Sequence, residues 1–219
     1  MKKELIFLGP PACGKGTQTN MLSDYLKLPH IDTGSLLRAE IAKETKEGII
    51  AKSFIDKGQL VPIDLVATII GKKLSSQECS KGYVLDGYPR SLEQAEKLDI
   101  INSEVDGENK VDFRAIYFDI DMQILLERII YRQSCPVCGE IYNKKFKPSK
   151  VENKCDKCNV DLKTRDDDNE EIAKKRFETY FEQTAPLIKF YEEKGVLRKI
   201  DANGTIEEVW ERLLKAVNE

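Results

Sequence analysis

Residues 4–17 constrain the fold most strongly, because they join a predicted buried strand, a glycine-containing loop and a helix. Residues 5–8 form an apolar run typical of a buried strand, and this run ends at Gly9. Residues 14–17, Gly-Lys-Gly-Thr, then open a segment with apolar side chains at helical spacing. Strand, loop, lysine and helix in this order are typical of a phosphate-binding P-loop, in which loop amides and the positive end of the helix surround an anion. The segment therefore predicts a polyphosphate site at Lys15, and an ordinary strand-to-helix turn is the alternative.

The loop departs from the general P-loop motif in one respect. Gly16 follows Lys15, so that the hydroxyl comes one residue later, at Thr17. A P-loop ATPase that acts on a macromolecule would carry a hydroxyl directly after the lysine. The position of Thr17 therefore disfavours such an ATPase and limits the match to a subfamily of P-loop proteins.

Length and charge limit the remaining classes. The chain has 219 residues, which favours one compact domain with an insertion over two full domains. Its 35 basic and 38 acidic residues give a net charge of −3, which does not favour a nucleic-acid partner. The N-terminal segment lacks the apolar core of a signal peptide, and no run approaches the ~20 apolar residues of a membrane span. We expect a cytoplasmic protein without a membrane partner.

Short apolar runs alternate with segments of helical period along the chain. Strands are predicted at 83–86, 113–118 and 196–200, helices at about 62–75, 91–101, 122–133, 170–193 and 205–217, and a polar surface loop at 102–112. This alternation predicts a parallel sheet covered by helices, with ligands at the carboxyl ends of its strands. Gly9, Asp86 and Asp119 all lie at the ends of such strands, so we expect them near one crevice.

Four cysteines form two C-x-x-C pairs, Cys135 with Cys138 and Cys155 with Cys158. Their spacing matches a four-thiolate zinc knuckle, which is closed and structural because no ligand position stays open. Disulfide pairing is the alternative, although it suits secreted proteins, and a nucleic-acid-binding zinc ribbon is another. The sequence does not distinguish zinc from iron.

Six arginines occupy positions where phosphate contacts would be needed, around the P-loop and the cysteine pairs. A single one of them is more often a surface salt-bridge partner, but the set favours an anion site. They are Arg38, Arg90, Arg128, Arg132, Arg165 and Arg176, of which Arg128 and Arg132 are predicted to share one helix face.

These motifs together resemble the adenylate kinase family. Its motifs occur here in the family's order, at residues 9–18, 32–38, 58–62, 85–90, Gln94, 165–168, Arg176 and 183–186. The chain is most similar to the long form of the family, whose lid holds a structural zinc ion, and the resemblance covers nearly the whole chain.

The resemblance implies an α/β, three-layer fold of the P-loop nucleoside-monophosphate-kinase type with a parallel five-stranded sheet. The core domain would comprise residues 1–31, 62–130 and 169–219, with an AMP-binding arm at 32–61 and a zinc-binding lid at 131–168. The implied reaction is ATP + AMP to 2 ADP in a lid-closed site, by a monomer that uses Mg²⁺ with ATP. A UMP/CMP-type kinase is the alternative, and Thr33 and Gln94 favour AMP over it.

The resemblance also implies a role for individual residues. The catalytic set is Lys15, Arg90, Arg128, Arg132, Arg165 and Arg176. The ATP-binding set is Ala12, Cys13, Gly14, Lys15, Gly16, Thr17, Arg128, Arg132, Ile141, Tyr142 and Gly204. The AMP-binding set is Thr33, Arg38, Gln59, Leu60, Val61, Gly87, Tyr88, Pro89, Arg90, Gln94, Arg165 and Arg176. The metal ligands are Cys135, Cys138, Cys155 and Cys158 for zinc, and Asp86 for magnesium through water. Asp119 could order that water instead, or it could cap the helix that follows it. Tyr142 and Gly204 have an alternative interpretation, as lid packing and as a simple turn.

The chain departs from the family pattern at a few positions. Ala12 stands where a glycine is usual, and Tyr131 replaces a common glycine at the lid hinge. Asp32 and Ser35 occupy positions where the family more often has Ser and Asp. Gln133 replaces a common second arginine.

Overall fold

Parallel strands form the centre of the molecule, as the alternating pattern predicts. A computed structural model describes residues 1–107 and 109–219. Within them, one sheet contains five strands in the order β2-β3-β1-β4-β7, all parallel. The strands are β1 (Lys2–Leu8), β2 (His30–Asp32), β3 (Gly82–Asp86), β4 (Val111–Asp119) and β7 (Leu197–Asp201). The predicted five-stranded α/β fold is confirmed.

Helices cover both faces of this sheet. They are α1 (Lys15–Leu26), α2 (Thr33–Ala42), α3 (Lys46–Ile55), α4 (Ile63–Leu74), α5 (Leu92–Asp106), α6 (Leu125–Ile130), α7 (Glu170–Thr179), α8 (Pro186–Glu193) and α9 (Ile206–Asn218). A π-helical turn, Tyr180–Thr184, joins α7 to α8, and short 3₁₀ turns lie at Gln77–Cys79 and Met122–Ile124. A separate two-stranded antiparallel sheet consists of β5 (Arg132–Ser134) and β6 (Ile141–Asn143).

The side chains of β1 pack into an apolar cluster on each face of the sheet. Ile6 and Leu8 belong to a cluster that includes side chains of α4, α5 and α8. Leu5 and Phe7 belong to a second cluster, with side chains of α1, α6 and α9. Because successive strand residues point to opposite faces, a strand buried on both sides must be apolar throughout. The continuous apolar run at 5–8 therefore places β1 in the middle of three layers.

Two predicted element boundaries are wrong, and one predicted helix is interrupted. The predicted loop at 102–112 begins too early, because α5 continues to Asp106; residue 108 of that loop lies outside the described residues. The predicted helix at 122–133 ends at Ile130, and the chain then enters β5. The long helix predicted at 170–193 contains the π-helical turn.

Candidate active site

The loop after β1 has the geometry of a phosphate cradle. Gly14 precedes α1 with φ +98°, and Ala12 has φ +63°, a left-handed conformation that a residue with a Cβ adopts at a cost of about 1–2 kcal/mol. The Lys15 ammonium lies over the loop and donates to the carbonyl oxygens of Gly9 (2.7 Å) and Pro10 (3.1 Å). The start of α1 and the lysine charge thus converge on one volume, as an anion site requires.

The residues that the sequence predicts to bind the two nucleotides line a single cavity. Its volume is about 1010 Å³, at the upper end of the range for sites that hold one small ligand, roughly 300–1,000 Å³. Every residue of the predicted catalytic, ATP-binding and AMP-binding sets lines it, and so does Asp86. The set includes residues from the P-loop, from α2, from the loop after β3 and from the segment around β5 and β6.

Asp86 lines the cavity beside the P-loop, whereas Asp119 does not line it. A Cβ built on Gly16 would stand 3.6 Å from Asp86 Oδ2, and Asp86 is only 7% exposed. Burial raises the pKa of Asp86, while the charge of Lys15 acts in the opposite direction. Asp119 is not among the residues that line the cavity, and the turn that follows β4 is capped by Asp121. The cap role considered for Asp119 is therefore wrong.

The exchange of Asp and Ser at positions 32 and 35 has a structural reason. The Asp32 carboxylate caps α2 by accepting from the amides of Gly34 (3.1 Å) and Ser35 (2.9 Å). It also accepts from Arg38 Nη2 at 3.2 Å and from the Ser35 hydroxyl. Burial opposes ionisation, but the hydrogen bond from Ser35 and the charge of Arg38 lower the pKa of Asp32 overall. Asp32 therefore holds Arg38 at the cavity while it caps the helix.

The two residues predicted to recognise the base of AMP are buried in the cavity wall. Thr33 is 4% exposed, and its hydroxyl has no partner among the described residues. Gln94 is 2% exposed, and its Oε1 accepts from the backbone N–H of Arg90 at 2.7 Å. A buried hydroxyl without a partner is costly, so Thr33 has a hydrogen bond to offer to a ligand.

A cluster of arginines lines one part of the cavity. Arg132 makes a two-point contact with Asp168, in which Nε lies 2.7 Å from Oδ2, and Arg176 Nη1 lies 3.3 Å from Asp168 Oδ1. Burial and the nearby charge of Arg132 lower the pKa of both Arg165 and Arg176 to about 10. Both remain charged at neutral pH, and Asp167 and Asp168 offset part of the charge of this arginine cluster.

Arg128 and Arg132 both line the cavity but do not share a helix face, which corrects the prediction. Helix α6 ends at Ile130 because Tyr131, with φ −91° and ψ 7°, leaves the helical conformation. Arg132 is then the first residue of β5. The Arg128 guanidinium lies 5.8 Å from the ring centroid of Phe146, within cation–π range.

Tyr142 and Gly204 have clear local roles besides lining the cavity. The Tyr142 side chain is 3% exposed and its hydroxyl accepts from the Asp156 amide at 2.9 Å, so it packs inside the segment that holds the cysteines. Gly204 has φ +112°, and a Cβ there would meet the carboxylate of Glu208 at 2.3 Å. The structure therefore gives both residues the packing and turn roles that the sequence left open. The single histidine, His30, also lines the cavity, and its buried Nε2 has no partner among the described residues.

Two nearly identical turns bring the four cysteines together. In each turn the second cysteine's amide donates to the first cysteine's sulfur, at 3.5 Å for Cys138 and 3.4 Å for Cys158. A left-handed residue, Gly139 or Asn159, follows each pair. The four sulfur atoms lie within 4.8 Å of one another, and those of Cys138 and Cys155 are 3.7 Å apart. Sulfur ligands of a tetrahedral zinc ion stand about 3.8 Å apart, whereas a disulfide needs about 2.05 Å. The cysteines are thus positioned to bind a metal ion, and all six in the chain are free thiols.

Two polar residues of the cavity wall had no predicted role. Gln18, 3% exposed, donates to the Ile206 carbonyl at 2.8 Å and so connects α1 with the start of α9. Thr184, 9% exposed, donates to the Arg90 carbonyl at 2.7 Å. Gln18 lies one helical turn after Lys15 on the cavity side, a signal that the sequence does contain. For Thr184 the only signal is its place in the motif at 183–186.

Comparison with known proteins gives a consistent result over the whole chain. The family model described as "Adenylate kinase" matches residues 7–196. An adenylate kinase of Thermodesulfovibrio yellowstonii is 44% identical over 206 residues, which cover 94% of each chain. Adenylate kinases of Archaeoglobus fulgidus (43% over 209 residues, 95% of each chain) and Clostridium kluyveri (41% over 214 residues, 98% of this chain and 97% of the relative) are also similar. Across the described residues, no helix combines the length and the apolar character that crossing a membrane requires.

Proposed function

Because the chain belongs to the adenylate kinase family and is a phosphotransferase of the nucleoside monophosphate kinase type, we propose that its cavity binds ATP and AMP side by side. The cavity aligns them for reversible transfer of one phosphoryl group, giving two ADP. The observation that carries this proposal is that the residues predicted for both nucleotides line one cavity, together with Lys15 and six arginines. Phosphoryl transfer needs alignment and charge neutralisation more than a covalent protein group.

In this proposal the P-loop holds the phosphates of ATP. The amides of residues 12–17 and the Lys15 ammonium surround the β- and γ-phosphates, and Lys15 exchanges its contacts with the loop carbonyls for contacts with phosphate. Arg128 and Arg132 approach from the lid side. The base of ATP lies against residues 141–142 and Gly204, which contribute mainly backbone because the Tyr142 side chain is packed inside the lid.

AMP occupies the other half of the cavity. Arg38 and Arg90 grip its phosphate, and guanidinium groups suit this task because they offer paired donors to phosphate oxygens. Thr33, Gln94 and the backbone of 59–61 surround the base, and the buried Thr33 hydroxyl supports this assignment. Residues 87–89 complete the pocket. Arg165 and Arg176 bridge the transferred group, where negative charge is spread over three oxygens.

The metal sites have separate roles. Asp86 orders water around a magnesium ion that binds with ATP, and such an ion neutralises phosphate charge during transfer. The four cysteines would hold a zinc ion and fill its coordination shell, which would help to keep the lid segment 131–168 folded. The arm at 32–61 and this lid close over the core domain, formed by 1–31, 62–130 and 169–219, to exclude water as a competing acceptor.

We further propose a cytoplasmic monomer. One chain supplies every predicted residue of the cavity, so no second copy is needed to complete it. The free thiols suit a reducing compartment. A UMP/CMP-type specificity finds no support among the relatives, which are adenylate kinases.

The proposal predicts a fixed stoichiometry. With ATP, AMP and Mg²⁺ we expect two ADP for each AMP consumed, and only slow loss of ATP when AMP is omitted. The products are separated and counted by ion-exchange chromatography. Loss of ATP at the same rate with and without AMP would contradict the proposal, because it would identify water as the acceptor.

A further inference from the structure

Four threonines of the described residues lie far enough into a helical segment for the carbonyl four residues earlier to belong to the same segment, and one of them lacks a common hydrogen bond. In regular helices a threonine hydroxyl donates to the carbonyl four residues earlier. Thr19, Thr68 and Thr179 all do so, to Lys15 (3.0 Å), Asp64 (2.8 Å) and Lys175 (2.9 Å). Thr184 instead donates to Arg90, which is 94 residues away in the sequence.

The π-helical turn explains this exception. In Tyr180–Thr184 the Tyr180 carbonyl, which would be the partner of Thr184 in an α-helix, accepts from the Ala185 amide at 2.8 Å. The widened turn frees the Thr184 hydroxyl to point away from its own helix. Wide turns of this kind are rare and often occur at functional sites.

The contact completes a set of hydrogen bonds around Arg90. Its amide donates to Gln94 Oε1 at 2.7 Å, its carbonyl accepts from Thr184 Oγ1 at 2.7 Å, and its Nε donates to the Gly87 carbonyl at 2.8 Å. Among the described residues, none accepts from its Nη1 or Nη2. Hydrogen bonds therefore hold the backbone amide, the carbonyl and the Nε of Arg90. The two terminal NH₂ groups are available to a ligand in the cavity.

We propose that Thr184 is a positioning residue for AMP, which acts through Arg90. The inference rests on the proposed role of Arg90 in binding the AMP phosphate. The continuous α7–π–α8 segment carries Arg176, which lines the same cavity, and holds Arg90 through Thr184. One helical segment thus sets the separation of two guanidinium groups, and small errors in such separations slow a reaction strongly.

The test compares Thr184→Val, which removes the hydroxyl at nearly constant volume, with Thr184→Ser, which retains it. Thr184→Val should raise KM for AMP roughly 3- to 10-fold, the effect of one neutral hydrogen bond, with KM for ATP and the melting temperature almost unchanged. Thr184→Ser should stay within about twofold of the wild type. Thr68→Val is the matched control, because it removes a hydroxyl bonded to a backbone carbonyl on an exposed part of α4. If Thr184→Val does not fold, Thr184→Ala supplies the same comparison.

A double variant separates this inference from the proposed function. In an Arg90→Ala background, Thr184→Val should have no further effect on KM for AMP. An unchanged KM for AMP in Thr184→Val, or an equal rise for AMP and ATP, would overturn the inference while a damaging Arg90→Ala still supported the proposed function. If Arg90→Ala itself left AMP use intact, the proposed role of Arg90 would fail instead.

Discussion

At the scale of single residues, the two arginines proposed to bind the AMP phosphate are held in different ways. Arg38 is oriented through its guanidinium group, by the carboxylate of Asp32. Arg90 is fixed through its backbone and Nε, which leaves its terminal groups available. Arg38 must therefore share its charge with Asp32, whereas the full donor capacity at the tip of Arg90 remains for the substrate.

Replacing either arginine should impair AMP use without unfolding the protein. Both side chains lie at the cavity rather than in an apolar cluster, so Arg38→Ala and Arg90→Ala should keep the wild-type circular dichroism spectrum. Loss of a charge-assisted contact in a closed site should lower kcat/KM for AMP on the order of 100-fold. Steady-state kinetics with varied AMP measure this, and a near-normal kcat/KM in either variant would show that its arginine does not bind AMP.

The buried hydroxyl of Thr33 should contribute to base selectivity. Thr33→Ala removes a donor that has no protein partner, so the apo fold should lose little stability. One hydrogen bond in the pocket is worth about 0.5–1.5 kcal/mol, and the preference for AMP over UMP should fall up to roughly 10-fold. The ratio of kcat/KM values for the two monophosphates measures the effect. An unchanged ratio would remove Thr33 from the base pocket.

At this scale the sequence predicts which residues line the cavity but not which of them contact one another. Lys15, the arginines and the cysteine cluster could be predicted because phosphate and metal chemistry favour those side chains at those spacings. The contact of Thr184 with Arg90 could not, because it joins positions 94 residues apart through an irregular turn. The same holds for the two-point contact between Arg132 and Asp168.

At the scale of elements, the errors of prediction concentrate where local pattern is weakest. Strand β2 has three residues, two of them polar, so no apolar period marks it. Helix α6 ends at Ile130, three residues before the predicted end, because Tyr131 leaves the helical conformation. Strands β5 and β6 pair only with each other, within the small segment that holds the cysteines. Short strands of this kind depend on tertiary contacts rather than on intrinsic preference.

Metal in the four-cysteine site should support stability rather than chemistry. The apolar cluster beneath this segment is small, formed by Cys135, Tyr142, Cys155 and Leu162 with two partly buried neighbours. Zinc binding in isolated knuckles is worth roughly 10–16 kcal/mol, but only part of it should appear as global stability if the proposed lid unfolds locally. The double variant Cys135→Ser, Cys138→Ser should therefore melt at a lower temperature and lose protease protection within 131–168.

Catalysis well below the new melting temperature should largely survive in that variant. The measurement is kcat in the cold, with the fold checked by circular dichroism. The wild type stripped of metal serves as the second sample, and metal content before and after is measured by atomic absorption. A folded metal-free protein that is inactive until zinc is returned would contradict a structural role.

At the scale of the whole molecule, the order of the strands brings the site together. β1 lies between β3 and β4: the chain runs from β1 through α1 to β2 and β3 on one side, and then from β3 through α5 to β4 on the other side. Ligands bind at such a switch point, outside the carboxyl ends of the strands. The alternation of strands and helices could predict a parallel sheet with a ligand site at the carboxyl ends of its strands. It could not predict the strand order, because order depends on which helices pack on which face.

The most direct test of the molecule as an adenylate kinase is its choice of phosphoryl acceptor. The rate of ADP formation from ATP and Mg²⁺ is measured with AMP, UMP, CMP and GMP in turn, each at varied concentration. We expect AMP to give the highest kcat/KM by roughly 10-fold or more, because the base pocket offers hydrogen bonds that the other bases cannot fully use. Equal or higher kcat/KM with UMP or CMP would contradict the assignment of the pocket to AMP.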